Sequence, residues 1–139
     1  MKKIQHSFLA LMAISLLFGS CKKDDNPGFA TRDDYIGIWQ CDEYDFNQLL
    51  IATFQIEIFA HPNDENKVLI DNFNLLGQGF QAEAEIESTS INIPQQLVSA
   101  TAIGGSGFIT NNLTGLDLQY TVDDGSGQPE TISATCIKL

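Results

Sequence analysis

From residue 35 onward the chain alternates apolar and polar residues in short runs, and this constrains its fold more than any other feature. In residues 50–59, Ala52, Phe54, Ile56 and Ile58 fall on one side, and Thr53, Gln55 and Glu57 on the other. Residues 80–87 repeat the pattern, with Phe80, Ala82, Ala84 and Ile86 opposing Gln81, Glu83, Glu85 and Glu87. Successive side chains of a strand point to opposite faces, so such runs read as strands with one face buried. Val68 and Ile70 mark a short strand after the polar turn at 61–66. Ile91 and Ile93 open another, which Pro94 should end as a regular ladder because proline has no N–H to donate. Segments 107–110, 116–122 and 131–137 follow, the last two joined by the hairpin sequence Asp123-Asp124-Gly125-Ser126-Gly127. With 35–46 as the first, about eight strands are expected, and no stretch carries a helical stripe.

Many short antiparallel strands at near-even spacing point to an all-β fold, an antiparallel up-and-down β-barrel of about eight strands. Closure removes the exposed edges that invite aggregation. A β-sandwich or a half-open barrel satisfies the same pattern. The first strand is imperfect: Tyr35, Trp39 and Cys41 share a face, while Ile36 and Ile38 oppose them. A bulge or a second small cluster outside the barrel would be needed to accommodate it.

Residues 1–20 have a different character. Lys2 and Lys3 precede an apolar run from residue 8 to 18, and Gly19-Ser20 are small. A positive start, an apolar core and a small-residue exit define a secretory signal peptide, and the run is too short to span a bilayer. Leu17-Phe18-Gly19-Ser20-Cys21 resembles a lipobox, with Phe18 where Leu is usual. Cys21-Lys22-Lys23-Asp24-Asp25-Asn26 looks like the start of lipoproteins of the Bacteroidetes, in which a lysine followed by acidic residues resembles a surface-export signal. Cys21 is therefore expected to be the lipidated first residue of the mature protein, and its acyl chains a permanent membrane anchor. Residues 21–34, polar and carrying Pro27 and Gly28, read as the lipidated N-terminus and a flexible tether, and 35–139 as one barrel domain. The expected location is the outer membrane, exposed at the cell surface; a periplasm-facing anchor is the alternative.

Charge narrows the partners. The chain carries a formal net charge of −11. Beyond residue 20 it keeps all 18 acidic residues against five basic ones, Lys22, Lys23, Arg32, Lys67 and Lys138, a net −13. With no basic cluster, a phosphate backbone would be repelled, which excludes nucleic acid. Contact with membrane would come through Cys21 alone. The other two cysteines, Cys41 and Cys136, sit in the first and last strands, which closure of an up-and-down barrel makes neighbours. They form either a disulfide, which an exported location permits, or a pair of buried thiols.

Gly37-Ile38-Trp39 resembles the Gly-X-Trp signature of lipocalins. Further along, Asn66-Lys67-Val68-Leu69-Ile70-Asp71-Asn72-Phe73, Ser90-Ile91-Asn92-Ile93-Pro94-Gln95-Gln96, Gly105-Ser106-Gly107 and Leu118-Gln119-Tyr120-Thr121-Val122-Asp123-Asp124-Gly125 follow the order of small lipocalin-like lipoproteins of Bacteroidetes. The resemblance covers roughly residues 31–139. It implies a lipocalin-like (calycin-type) barrel in which Trp39 closes one end against a late basic residue, Lys138, or against Arg32 just upstream.

No catalytic constellation stands out. His61, the single histidine beyond residue 20, precedes Pro62 in a polar turn, and a general base needs a partner placed by the fold. Ser106 misses the Gly-X-Ser-X-Gly frame; the surrounding glycines suit a turn or a bend in a strand. Asn63-Asp64-Glu65 and Asp123-Asp124 lack calcium-loop spacing. No enzymatic activity, cofactor or metal is expected. Trp39, Phe54, Phe80, Phe108 and Tyr120 are all assigned inward, where in an eight-stranded barrel they either line a ligand or fill the interior; filling suits so short a domain. The expected function is a small apolar ligand bound in or at the mouth of the barrel, or else a scaffold that meets a surface protein or glycan through its loops.

Overall fold

The computed structural model describes residues 29–139. Cys21, the expected signal peptide and the expected tether up to residue 28 lie outside the described residues. One helical turn, α1 (Arg32–Tyr35), precedes eight strands: β1 (Gly37–Tyr44), β2 (Leu50–Ala60), β3 (Lys67–Asp71), β4 (Gln81–Glu87), β5 (Ser90–Val98), β6 (Thr101–Ile109), β7 (Gly115–Asp123) and β8 (Glu130–Lys138). Each pairs antiparallel with the next, and β1 pairs with β8, giving a closed up-and-down barrel. Every strand is thereby paired on both sides.

The period-two pattern decides which side of each strand faces in. Phe54, Ile56 and Ile58 of β2, Ala82 and Ala84 of β4, and Leu116, Leu118 and Tyr120 of β7 all belong to one continuous buried cluster. The outer faces carry Asp42, Gln55, Glu57, Glu85 and Glu87. Charge outside and hydrocarbon inside is the reverse of a barrel that spans lipid.

Two inward assignments are corrected. Phe80 is 47% exposed, because it closes the turn before β4, and Ala82 is the first residue of that strand to point in. Phe108 is 54% exposed. In β6 the register sets Gly105 against Tyr120, Gly107 against Leu118 and Ile109 against Leu116, so Ile109 takes the inward phase and Phe108 the outward one.

The strand boundaries differ instructively at β5 and β6. Pro94 does not end β5. A register shift between Ile93 and Gln96 absorbs the missing N–H, and the strand runs on to Val98. Where the β4–β5 ladder lapses, the Gln96 side chain replaces it, accepting from Glu83 N at 2.8 Å and donating to Glu83 O at 2.7 Å. β6 starts at Thr101, well before residue 107, and its glycines lie within the strand. A Cβ on Gly105 would collide with the Gln119 carbonyl and the Tyr120 Cα, so only glycine lets β7 approach this closely.

The two ends of the barrel are built differently. At the end where β1 begins, the Asp34 carboxylate accepts from Thr31 N at 2.7 Å and Thr31 Oγ1 at 2.8 Å, fixing α1. Tyr35 is fully buried there and donates to Ser88 O at 3.1 Å; burial pushes its phenol up to about 12. Trp39 Nε1 donates to Tyr35 O at 2.8 Å. Lys138 Nζ lies 5.3 Å from the centre of the Trp39 ring and donates to Asp34 O at 2.6 Å. Arg32 instead reaches Asp64 O at 3.4 Å. Tyr35 therefore belongs to a helical turn and not to β1, which resolves the irregular first strand. The backbone turns at Gly37, whose φ of +133° strains any side chain.

At the opposite end lie the loops β1–β2, β3–β4, β5–β6 and β7–β8. The β3–β4 loop drops Phe73 into the barrel, 1% exposed, with its ring centroid 4.5 Å from that of Tyr120. Across the barrel seam, Cys41 pairs with Cys136 and the two are joined by a disulfide, Cα to Cα 4.0 Å.

Candidate functional site

One carboxylate stands in the apolar interior. Glu43 is 2% exposed because it continues the inward phase of Trp39 and Cys41 along β1. Its cross-strand neighbours are Ala52 and Ala134, both small, which leaves room for the longer side chain. Tyr120 Oη donates to Glu43 Oε1. Burial pushes the Glu43 carboxyl above the usual carboxylate range, partly offset by the Tyr120 bond. Burial and the adjacent carboxylate push the Tyr120 phenol upward as well. A carboxylate taken out of water carries a penalty of several kcal/mol that one neutral hydroxyl only partly relieves. A raised carboxyl can serve as a general acid, but Ala52 and Ala134 bring no second functional group, and Phe73 packs on Tyr120. Sequence reasoning missed Glu43, although its position two residues after Cys41 placed it in phase.

The five aromatics assigned to the interior do not form one lining. Trp39 closes the α1 end, Phe54 and Tyr120 lie inside, and Phe80 and Phe108 face out. On the outer face, Lys67 Nζ lies 2.5 Å from Glu83 Oε1, and His61 Nε2 lies 3.5 Å from Glu83 Oε2. The bond to Lys67 holds Glu83 below the usual carboxylate range and raises Lys67 in turn. His61 Nδ1 accepts from Asn63 N at 3.3 Å, which shapes the turn. Ser106 is exposed on the outer face of β6. Among the described residues, no group of three His, Cys, Asp or Glu side chains is placed to hold a metal ion.

A larger opening lies outside the barrel. A cleft of about 750 Å³ sits between the β1–β2 loop and the outer face of β7 and β8. Phe46, Ile51 and Pro129 supply its exposed apolar surface, with the buried Ile132 at its base; Asp45, Gln48, Gln119, Glu130, Thr131 and Ser133 supply the polar part. Asp45 shapes the loop, accepting from Asn47 N at 2.8 Å and Leu49 N at 2.9 Å, and these bonds, Leu49 foremost, hold its carboxyl below the usual range. Phe46, on the same loop, is 79% exposed. Within the described residues the side chains of Gln48, Gln119, Glu130, Thr131 and Ser133 make no hydrogen bond. The cleft thus gathers uncommitted donors and acceptors beside a bare aromatic ring. No single sequence segment signalled it, because the residues come from 45–51, 119 and 129–133.

No family model matches the chain, and no curated protein does. Among solved structures, that of a redesigned β-barrel is similar, with a TM-score of 0.51 over 78% of this chain and 95% of that one, at 11% sequence identity. At that identity the likeness concerns the barrel fold alone.

Proposed function

We propose that this is a non-enzymatic, lipid-anchored binding protein that meets its partner at the loop end of the barrel, outside the packed interior. The observation that carries the reading is the cleft: the inward side chains form one buried cluster, whereas the uncommitted polar groups gather outside, beside Phe46. Direction supports it too. The chain enters the barrel at the α1 end, and the β1–β2 and β7–β8 loops lie at the other. A protein held by an acylated Cys21 in the outer membrane would therefore present its cleft away from the lipid. Lys22-Lys23-Asp24-Asp25 supports display at the cell surface, and Gly37-Ile38-Trp39 with Lys138 over the Trp39 ring supports kinship with lipocalin-like lipoproteins of Bacteroidetes.

A photo-cross-linking residue at Gln119, in the cleft, compared with one at Glu87 on another part of the outer face, tests the reading on intact cells. Specific adducts to a surface protein or glycan from position 119 alone are expected; equal labelling from both sites, or none, would sink it. Fatty-acid labelling should be lost in Cys21→Ser, and protease added to intact cells should remove the domain.

A second reading, a small apolar ligand inside the barrel mouth, is favoured by one observation: the buried Glu43–Tyr120 pair beneath Phe73. Phe73 would have to move for entry. Mass spectrometry of protein purified without detergent checks this; a co-purifying ligand whose retention depends on Glu43 would favour it over the cleft.

A further inference from the structure

We propose that the cleft is a saccharide site selective for neutral sugars, an inference that rests on the loop-end reading above and names its ligand class. A sugar ring offers an apolar C–H face and a rim of hydroxyls that both donate and accept. The cleft offers the complement of both. Phe46, 79% exposed on the β1–β2 loop, provides a flat apolar platform at its edge. Gln48 and Gln119 carry amides with donors and acceptors, Thr131 and Ser133 carry hydroxyls, and Glu130 accepts only. None of these five side chains is bonded within the described residues, so a ligand hydroxyl displaces only water.

The same residues argue against the alternatives. No lysine or arginine lines the cleft, and the Asp45 and Glu130 carboxylates repel phosphate, sulfate and uronate groups. An extended peptide commonly binds by adding a strand to a free sheet edge, and this closed barrel has none. A purely apolar ligand would desolvate the five unbonded polar side chains without giving them partners.

The test applies the full chain, extracted in detergent, to an array of neutral oligosaccharides and their sulfated and sialylated counterparts. Binding to one or more neutral sugars is expected, with acidic counterparts at least about tenfold weaker. Phe46→Ala and Gln119→Ala should each weaken it by about tenfold or more, whereas Phe46→Trp should retain it. Leu97→Ala, an exposed change on β5, should leave it unchanged. Since Phe46 and Gln119 are exposed, an intact thermal transition will show that the variants still fold. Equal binding of acidic sugars, or binding indifferent to both alanine variants, overturns the proposal. If no saccharide binds while position 119 still cross-links a surface protein, the saccharide class fails and the loop-end reading stands; if neither occurs, both fail.

Discussion

Glu43 shows how one residue can carry a pH dependence for the whole domain. Its folded carboxyl titrates above the ordinary 4.5 because burial disfavours the charge. The folded state therefore holds this proton more tightly than the unfolded chain does. The associated stability is fully present below about pH 4.5 and is lost as pH rises through the raised value. Glu43→Gln keeps an acceptor for Tyr120 and removes the charge. It should be more stable than the parent at pH 8 by about 1–2 kcal/mol, with the difference vanishing near pH 4, as urea titrations at both pH values would register. A constant difference across that range would mean that ionisation of Glu43 is not its source. Phe73 presents a simpler case: truncating a ring that is 1% exposed removes packing against Tyr120, and Phe73→Ala should cost about 3–5 kcal/mol in the same assay.

At the scale of elements, strands were legible where large apolar residues mark the phase, and obscure where they do not. β2 and β4 declare their inner faces through Phe54, Ile56 and Ile58, or Ala82 and Ala84, because burying the wrong face would put Glu57 or Glu83 inside. β6 has glycine at Gly105 and Gly107 on the inner face, so its loudest residue, Phe108, suggests the opposite phase. Only the partner strand resolves this, through Leu118 and Tyr120. β5 hides its second half behind Pro94, whose missing N–H is accommodated by the register shift, while the Gln96 amide makes good the lapsed ladder to β4. Gln96→Ala should leave the Glu83 backbone donor and acceptor without these partners, costing about 1–3 kcal/mol and hastening hydrogen exchange at the Glu83 amide. Unchanged exchange there would show that the side-chain bridge does not protect the ladder. The cleft was illegible for a different reason. Its residues are ordinary in their own segments, and only closure of β8 onto β1 assembles them.

For the molecule as a whole, closure is the organising event, and it joins the chain's first strand to its last. Such pairing at 95 residues' separation carries a large loop-closure entropy, which the Cys41–Cys136 bridge removes from the unfolded state. On the chain-entropy model the bridge is worth roughly 4–5 kcal/mol, so Cys41→Ser/Cys136→Ser should lower the unfolding free energy by about that much, and a reductant should do nothing further to that variant. The bridge has a mechanical consequence as well. Were the domain held through its N-terminus and gripped at its far loops, as proposed above, the load would run along β1, the strand a pull would peel away first. Peeling can release Gly37 to Gln40, but at Cys41 the tension passes through a covalent bond into β8 and is shared by both sides of the seam. The oxidised domain should bear shear at its surface that the reduced one would yield to, strand by strand.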